Sequence, residues 1–276
     1  MKVAIVILNY NSWKKTLNMV KQIKQKLQSP SVPKYRIVVV DNASTDKSDE
    51  VLSRYAGKHY VYLKAEQNGG YAKGNNMGIR WAREHGYAYS WILNNDILLP
   101  DADVLQIMIS AMKEAGNAGA VSPNVFAPTG HQYNREIIRK NMWEETLGGI
   151  SWRIRSRKIN VKDMDWLYVY RPQGCCMLLD NECMEKVGDL DENTFLYYEE
   201  SILAERLLSA GYRVICANRT SVIHDHSDSV SFLLGKIRYR REYGKSYIYY
   251  LTHYRGYYKY AAWICWCFLQ LKLFFV

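Results

Sequence analysis

Apolar and polar positions along this chain fall into blocks whose period switches between strand-like and helix-like. Residues 2–8 form an almost continuous apolar run, as expected of a strand covered on both faces. Asn9, Tyr10, Asn11 and Ser12 then make a turn, with Ser12 suited to cap a helix. Trp13, Leu17, Val20, Ile23 and Leu27 recur every three or four residues, which predicts an amphipathic helix with a solvated lysine face. The loop at 30–33, with a proline at each end, stops it. The same reading predicts strands at 35–40, 61–64 and 89–93, and helices at 48–56 and from the glycine-rich stretch 68–76 to Gly86. Strand and helix thus alternate through the first hundred residues, which predicts a mostly parallel, doubly wound α/β sheet. Leu8, Val40 and Leu93 each open into polar loops, expected along the sheet edge where open α/β folds bind ligands.

Beyond Pro100 the pattern loosens. It predicts a helix at 101–115, a short strand at 118–121 and an irregular, Trp- and Arg-rich stretch at 123–165, broken at Gly148-Gly149. Strands at 167–169 and 175–179, a strand-like aromatic segment at 195–198, a helix at 202–210 ended by Gly211 and a strand at 214–216 follow. From 231 the composition changes. Lys236, Arg238, Arg240, Arg241, Lys245, Arg255 and Lys259 face one acid, Glu242, among interleaved tyrosines, before an apolar run of 16 residues at 261–276. The expected organisation is one α/β domain over 1–230 and a basic, aromatic helical extension over 231–276.

With 276 residues the chain can bury a sizeable core as one large domain. A formal net charge of +10 suits anionic partners such as nucleotide diphosphates or lipid head groups. No nucleic-acid-binding motif is present, so no nucleic acid partner is expected. The N-terminus lacks the charged, apolar and cleavage regions of a secretory signal. The six cysteines have neither C-x-x-C nor zinc-like spacing. They read as small buried hydrophobes in a reducing, cytoplasmic setting.

Candidate chemistry sits at the strand ends. Asn94-Asn95-Asp96 follows a buried strand. A carboxylate flanked by amides suits a hard cation on a diphosphate, although Asn and Asp also make ordinary turns. Asp41 ends another buried strand, where it can accept a base imide N–H or form an Asx turn. The segment from Asn68 through Gly69, Gly70 and Lys73 to Asn76 lets backbone approach a ligand before a helix N-terminus. Glu199 and Glu200 open a later helix, pointing about 100° apart, and His224 follows 24 residues after Glu200.

Taken together, the Asp41, Asn68–Asn76, Asn94-Asn95-Asp96 and Glu199-Glu200 segments with His224 resemble the inverting family 2 glycosyltransferases of the GT-A fold, over about residues 1–230. The likeness is strongest to the bacterial rhamnosyltransferase-like branch. The resemblance implies a nucleotide-sugar-binding half at 1–100 and an acceptor and catalytic half at 101–230. It implies that Asp41 reads the base, that the Asn68–Asn76 loop lies along the nucleotide, and that Asn94 and Asn95 support Asp96. It also implies that Asp96 and His224 hold Mg²⁺ or Mn²⁺, with His226 a neighbouring candidate, and that Glu200 deprotonates the acceptor hydroxyl. Trp166, Gln173 and Gly174 match a segment lining the acceptor side. The implied activity is transfer from a UDP- or dTDP-sugar to a lipid-linked or oligosaccharide acceptor in cell-surface polysaccharide synthesis.

The chain departs from the family pattern in three places. Glu stands where Asp is usual as base, Asn replaces the first metal-motif acid, and Ser201-Ile202-Leu203 lacks a further acid. These departures keep open a catalytically silent nucleotide-sugar-binding subunit. A sugar-1-phosphate nucleotidyltransferase would need a Gly-rich basic N-terminal signature, which is missing. The tail suits an interfacial helix at the inner face of the plasma membrane, being short of the roughly 20 apolar residues that span a bilayer. Packing on the domain, or a contact between two copies of the chain, would use the same aromatics.

Overall fold

A computed structural model describes residues 1–30, 32–133, 135–146, 154–156, 161, 163–225 and 236–274; Gly148-Gly149 and His226 lie outside the described residues. The first half alternates as expected: β1 (Lys2–Asn9), α1 (Trp13–Lys26), β2 (Lys34–Asp41), α2 (Ser48–Arg54), β3 (Val61–Lys64), α3 (Gly70–Glu84) and β4 (Tyr89–Leu93). Then come β5 (Ile97–Leu98), α4 (Val104–Ala115), β6 (Ala118–Phe126), α5 (Met142–Thr146), β7 (Trp166–Val169) and β8 (Cys176–Asp180). The chain continues through α6 (Asn181–Val187), α7 (Glu199–Ser209), β9 (Arg213–His224), α8 (Lys236–Tyr254) and α9 (Lys259–Phe274).

The strands form one mixed sheet in the order β3-β2-β1-β4-β8-β6-β9-β5, with β7 paired to β9. β1 to β4 are parallel, β8 runs antiparallel between β4 and β6, and β6 pairs parallel with β9. Side chains alternate across a strand, so β1 serves two cores. Val3, Ile5 and Ile7 join Met19, Ile23, Leu105 and Met108 from α1 and α4 on one face. Ala4 and Val6 join Ala72, Ile79, Leu203 and Leu207 from α3 and α7 on the other. The sheet is therefore doubly wound, and the continuous apolar run of β1 follows from coverage on both sides.

The structure corrects several boundaries, each for a local reason. β6 and β9 are much longer than the short strands expected, because register shifts let pairing continue past Pro123. Asn124 stabilises the irregularity by donating from Nδ2 to the Asn218 carbonyl at 2.9 Å, while Arg135 donates to both asparagine side chains at 2.9 and 2.8 Å. An unexpected helix, α6, is capped by Asp180, which accepts the Glu182 and Cys183 amides at 3.0 Å. α3 starts at Gly70, so Asn75 and Asn76 lie inside a helix and not in a loop. The aromatic segment at 195–198 is a bend, with Tyr197 and Tyr198 both left-handed at φ 74 and 70.

The basic tail forms two helices with one face against the α/β body. Tyr247, Tyr250, Leu251, Ala262 and Cys265 cluster with Ile202 of α7. A buried polar group secures the same contact: Glu205 accepts both Arg139 nitrogens at 2.7 and 2.6 Å and the Tyr170 hydroxyl at 2.6 Å. Tyr170 in turn meets the Tyr250 hydroxyl at 2.5 Å. The opposite face of α9 leaves Tyr260, Trp263, Ile264 and Phe268 exposed, all within one side of the helix at 100° per residue.

Candidate active site

The carboxyl ends of β1, β2 and β4 lie side by side and are joined by short polar contacts. Asp41 is fully buried, and its carboxylate accepts Asn9 Nδ2 at 2.7 Å, the Ser44 hydroxyl at 2.6 Å and the Ser44 amide at 3.1 Å. Asn9 Oδ1 accepts from Thr16 Oγ1 at 2.7 Å, and Asn95 Nδ2 donates to Thr16 Oγ1 and Ser12 Oγ at 2.9 Å. A continuous network therefore runs from Asp41 to the Asn94-Asn95-Asp96 turn. Asn9 and Thr16 were not singled out in the sequence, where they read as turn and helix residues; only the network gives them weight. Tyr10, next to Asn9, is an exposed aromatic on this edge.

Asn94 is half-buried, and its amide donates to the Cys175 carbonyl at 2.9 Å. Asp96 owes its position to β5, whose Ile97 pairs with His224 across the sheet. His224 Nε2 lies 3.1 Å from Asp96 Oδ1. The approach lacks hydrogen-bond alignment, so this buried oxygen has no hydrogen-bond partner. Two ligands of one octahedral ion, each about 2.1 Å from it, would stand about 3 Å apart. An orphaned carboxylate oxygen facing an imidazole at that separation fits a divalent cation. Among the described residues there is no cluster of three or more His, Cys, Asp or Glu around it, so such an ion would take further ligands from a diphosphate and water. Tyr133, from the stretch read as irregular, has its ring 6.2 Å from that of His224. Burial, then the charges of Cys175, Asp225 and Asp96, raises its hydroxyl pKa.

The glycine-rich segment is built against the acid pair as much as along the strand edge. Gly70, at φ +83, passes so close to the Phe195 carbonyl that a Cβ would collide with it, and the Tyr71 amide donates to that carbonyl at 3.0 Å. Asn68 Oδ1 accepts Asn42 Nδ2 and the Gly70 amide at 3.0 Å, and the Gly69 amide reaches Asn42 at 3.3 Å. Lys73 is exposed on the first turn of α3. Asn76 is buried, and its amide is taken by the Leu190 backbone and Glu192 at 2.9 to 3.1 Å. Its contacts brace the segment before the acid pair.

Glu199 and Glu200 occupy different environments. Glu199 is buried with Oε1 unpartnered; burial, then the neighbouring Glu200, pushes its pKa up to about 8. Glu200 is part-exposed and lies over Gly174, where a Cβ would collide with its carboxylate. The Gly174 carbonyl accepts the Tyr71 hydroxyl at 2.5 Å. Cys175, the next residue, has its thiol pKa raised by burial, then by the charges of Cys176, Asp96 and Glu200. Residues 174 and 175 thus touch both regions: the Cys175 carbonyl takes the Asn94 amide and Gly174 lies under Glu200. Gln173 donates its amide to Ser122 Oγ at 2.8 Å and accepts from the Cys176 amide at 3.1 Å. Trp166 begins β7 opposite Ala217, with its ring edge-on to Tyr168 and packed against the core that α1 and α4 share with the sheet.

The αL bend before the acids is held from α8. The Tyr198 ring lies 5.2 to 5.3 Å from those of Tyr243, Tyr247 and Tyr250, and Tyr197 lies beside Tyr239 and Tyr243. Ser246 donates to the Leu196 carbonyl at 2.7 Å. Left-handed non-glycine residues cost energy and persist where the surroundings over-determine them.

The sheet thus brings Asp41 and Asp96, at the end of β2 and in the turn after β4, to one edge, while the start of α7 lays Glu200 over Gly174. The model of glycosyl transferase family 2 matches residues 4–186, and the chain belongs to that family. The match ends before Glu199. The low-salt glycan biosynthesis hexosyltransferase of Haloferax volcanii is 26% identical over 198 residues, 71% of this chain and 58% of that protein. The chain thus spans little more than half of that relative. The N-acetylglucosaminyl-diphospho-decaprenol L-rhamnosyltransferase of Mycobacterium tuberculosis is 24% identical over 213 residues, 70% of this chain and 67% of that protein. Among solved structures, a Pyrobaculum calidifontis mannosyltransferase in complex with GDP-mannose and Mn²⁺ superposes with a TM-score of 0.62 at 17% identity, covering 98% of this chain and 74% of that one. The fold is GT-A.

Proposed function

We propose that the chain transfers a sugar from a UDP- or dTDP-sugar to a hydroxyl of a lipid-linked or oligosaccharide acceptor, with inversion, in cell-surface polysaccharide synthesis. The observation that carries this reading is the meeting at Gly174-Cys175 of two kinds of acid: the cation-ready Asp96 beside His224, in the turn whose Asn94 amide donates to the Cys175 carbonyl, and the part-exposed Glu200 over Gly174. Residues 1–100 would hold the donor and 101–230 the acceptor. Asp41 retains acceptor capacity on Oδ2 for a base imide, and Tyr10 offers a face for stacking. Asn68, Gly69, Gly70 and Lys73 would flank the nucleotide, with Asn94 and Asn95 holding that edge in place and Asn76 bracing the segment before the acids. Trp166, Gln173 and Gly174 would line the acceptor side. Glu200 would take the proton from the acceptor hydroxyl, whose oxygen attacks the anomeric carbon opposite the departing diphosphate. Mg²⁺ or Mn²⁺ on Asp96 and His224 would neutralise charge on that leaving group.

Glu200→Gln is expected to abolish transfer and leave Mn²⁺-dependent nucleotide binding intact. Unchanged turnover would remove Glu200 from the role of base. Nucleotide binding without turnover in the unaltered protein would favour the silent-subunit reading.

The extension, residues 231–276, we assign to the inner face of the plasma membrane. Tyr260, Trp263, Ile264 and Phe268 are exposed on α9, which Lys259 opens, and Arg238, Arg240, Arg241 and Lys245 are exposed on α8, a composition that suits an anionic interface. Among the described residues, no helix is long and apolar enough to cross a membrane. Trp263→Asp with Phe268→Asp is expected to weaken binding to anionic liposomes. Equal liposome binding together with a concentration-dependent dimer lost in the variant would assign the face to a second copy.

A further inference from the structure

Glu200 is gripped by two parts of one short bend after β7. Its Oε1 lies against Gly174, where a Cβ would displace it, and its Oε2 lies 3.7 Å from Arg171 Nη1. Among the described residues, Arg171 is the cation within ion-pair distance of this carboxylate. The same guanidinium is forked onto Glu136, with Nε 3.1 Å from Oε2 and Nη2 3.3 Å from Oε1. Glu136 also faces Lys140 at 3.7 Å, and its carbonyl accepts the Tyr170 amide at 2.7 Å, which ties it to the start of the bend. The other titratable groups around Glu200 are Glu199 on its own helix, Tyr71 of α3 and Cys175. None of them is cationic. Tyr198 and Tyr243 lie near Arg171 from the α8 side.

We propose that Arg171 is a positioning residue for the acid pair: shared between Glu136 and Glu200, its guanidinium aims the Glu200 carboxylate and sets a positive charge beside it, while Glu136 limits that hold. This rests on the reading of Glu200 as the base. Geometry sets the division of labour. Glu136 takes the fork at hydrogen-bond distance and fixes the plane of the guanidinium. Glu200 meets only one remaining nitrogen at longer range and stays available to a hydroxyl. A planar, always-charged donor can serve two carboxylates at once, which a lysine ammonium does with less orientation. Burial works against the charge of Arg171, yet Glu136 and Glu200 together raise its pKa further. Glu136 is held below its ordinary value: burial opposes the charge, and Arg171 and Lys140 outweigh it.

The test is the pH dependence of turnover in a set of three variants. In Arg171→Met the carboxylate loses its cation, so the acid limb of kcat/KM moves to higher pH and kcat falls roughly 10- to 100-fold through misplacement, with donor KM little changed. In Glu136→Gln the guanidinium is no longer shared, so the acid limb moves to lower pH. Arg171→Lys keeps the charge but loses the fork; the limb stays near its original pH while kcat falls. Limbs that do not move, or that move in the same direction in Arg171→Met and Glu136→Gln, would overturn the proposal and leave Arg171 a structural ion pair. Should Arg171→Met fail to fold, Glu136→Gln and Arg171→Lys decide the matter by the same limbs. A fully active Glu200→Gln would instead sink the base assignment itself, whereas an inactive Glu200→Gln with unmoved limbs sinks only the role of Arg171.

Discussion

The edge proposed to hold the donor and the edge that carries the acid pair are built by opposite means. At the donor edge, short side chains on adjacent strand ends satisfy one another directly: Asp41 with Asn9 and Ser44, Asn9 with Thr16, Thr16 with Asn95. The partners lie at the ends of β1 and β2, in the loop after β2, on α1 and in the turn after β4, and β1 lies between β2 and β4 in the sheet. At the acid edge, Glu199 and Glu200 follow two left-handed tyrosines and are held by Gly174, Arg171, the α3 start and the α8 tyrosines. Those supports come from three separate stretches of chain. The donor edge is thus redundant and confined to the first hundred residues. The acid edge depends on the whole molecule, including helices whose composition suggests a membrane tail.

The contrast should appear most strongly at Gly174. Gly174→Ala places a methyl group where the Glu200 carboxylate lies. It is expected to reduce kcat by about 100-fold or more while nucleotide affinity, measured by titration calorimetry, stays within a factor of a few. Equal losses in both would mean that the two edges are not separable. Next comes Tyr250→Ala on α8, where a side chain 1% exposed supports Tyr198 and binds Tyr170 and Arg255. A destabilisation of about 3–5 kcal/mol is expected in denaturant unfolding, with kcat falling in the surviving folded fraction. Retained kcat would break the link between the tail and the acid bend. The smallest effect belongs to the donor edge. Asn95→Ala removes two hydrogen bonds, worth about 1 kcal/mol each, and should lower thermal stability slightly and Mn²⁺ affinity modestly. A loss as large as that of Tyr250→Ala would overturn the view of this edge as redundant.

The two edges also differ in how far they were legible in the sequence. The apolar runs at β1, β2 and β4 and the polar triplets that end them were plain, because strand period and strand-end polarity are local properties. Asn9 and Thr16 escaped notice because they look like any turn or helix residue until Asp41 and Asn95 are brought alongside. The long β9 was read as three residues, since its pairing with β6 crosses register shifts that interrupt the alternation. The segment at 195–198 was read as strand-like because aromatic residues favour strands. In the folded chain its tyrosines pack on α8, and that tertiary contact overrides the local preference. Asn76 looked like a loop residue near the donor but braces Leu190 and Glu192 from inside a helix.

What the sequence determined by itself is the alternating α/β body and the chemical types that end its strands. Periodicity and capping act over a few residues, and no distant partner is needed to express them. Only the tertiary structure decided that Asp96 meets His224 through a two-residue strand, that Glu199 is buried while Glu200 reaches the crevice, and that Arg171 divides itself between Glu136 and Glu200. Burial and charge pairing depend on which distant segments pack together, and they exist only once the whole sheet and its C-terminal helices have closed around the acids.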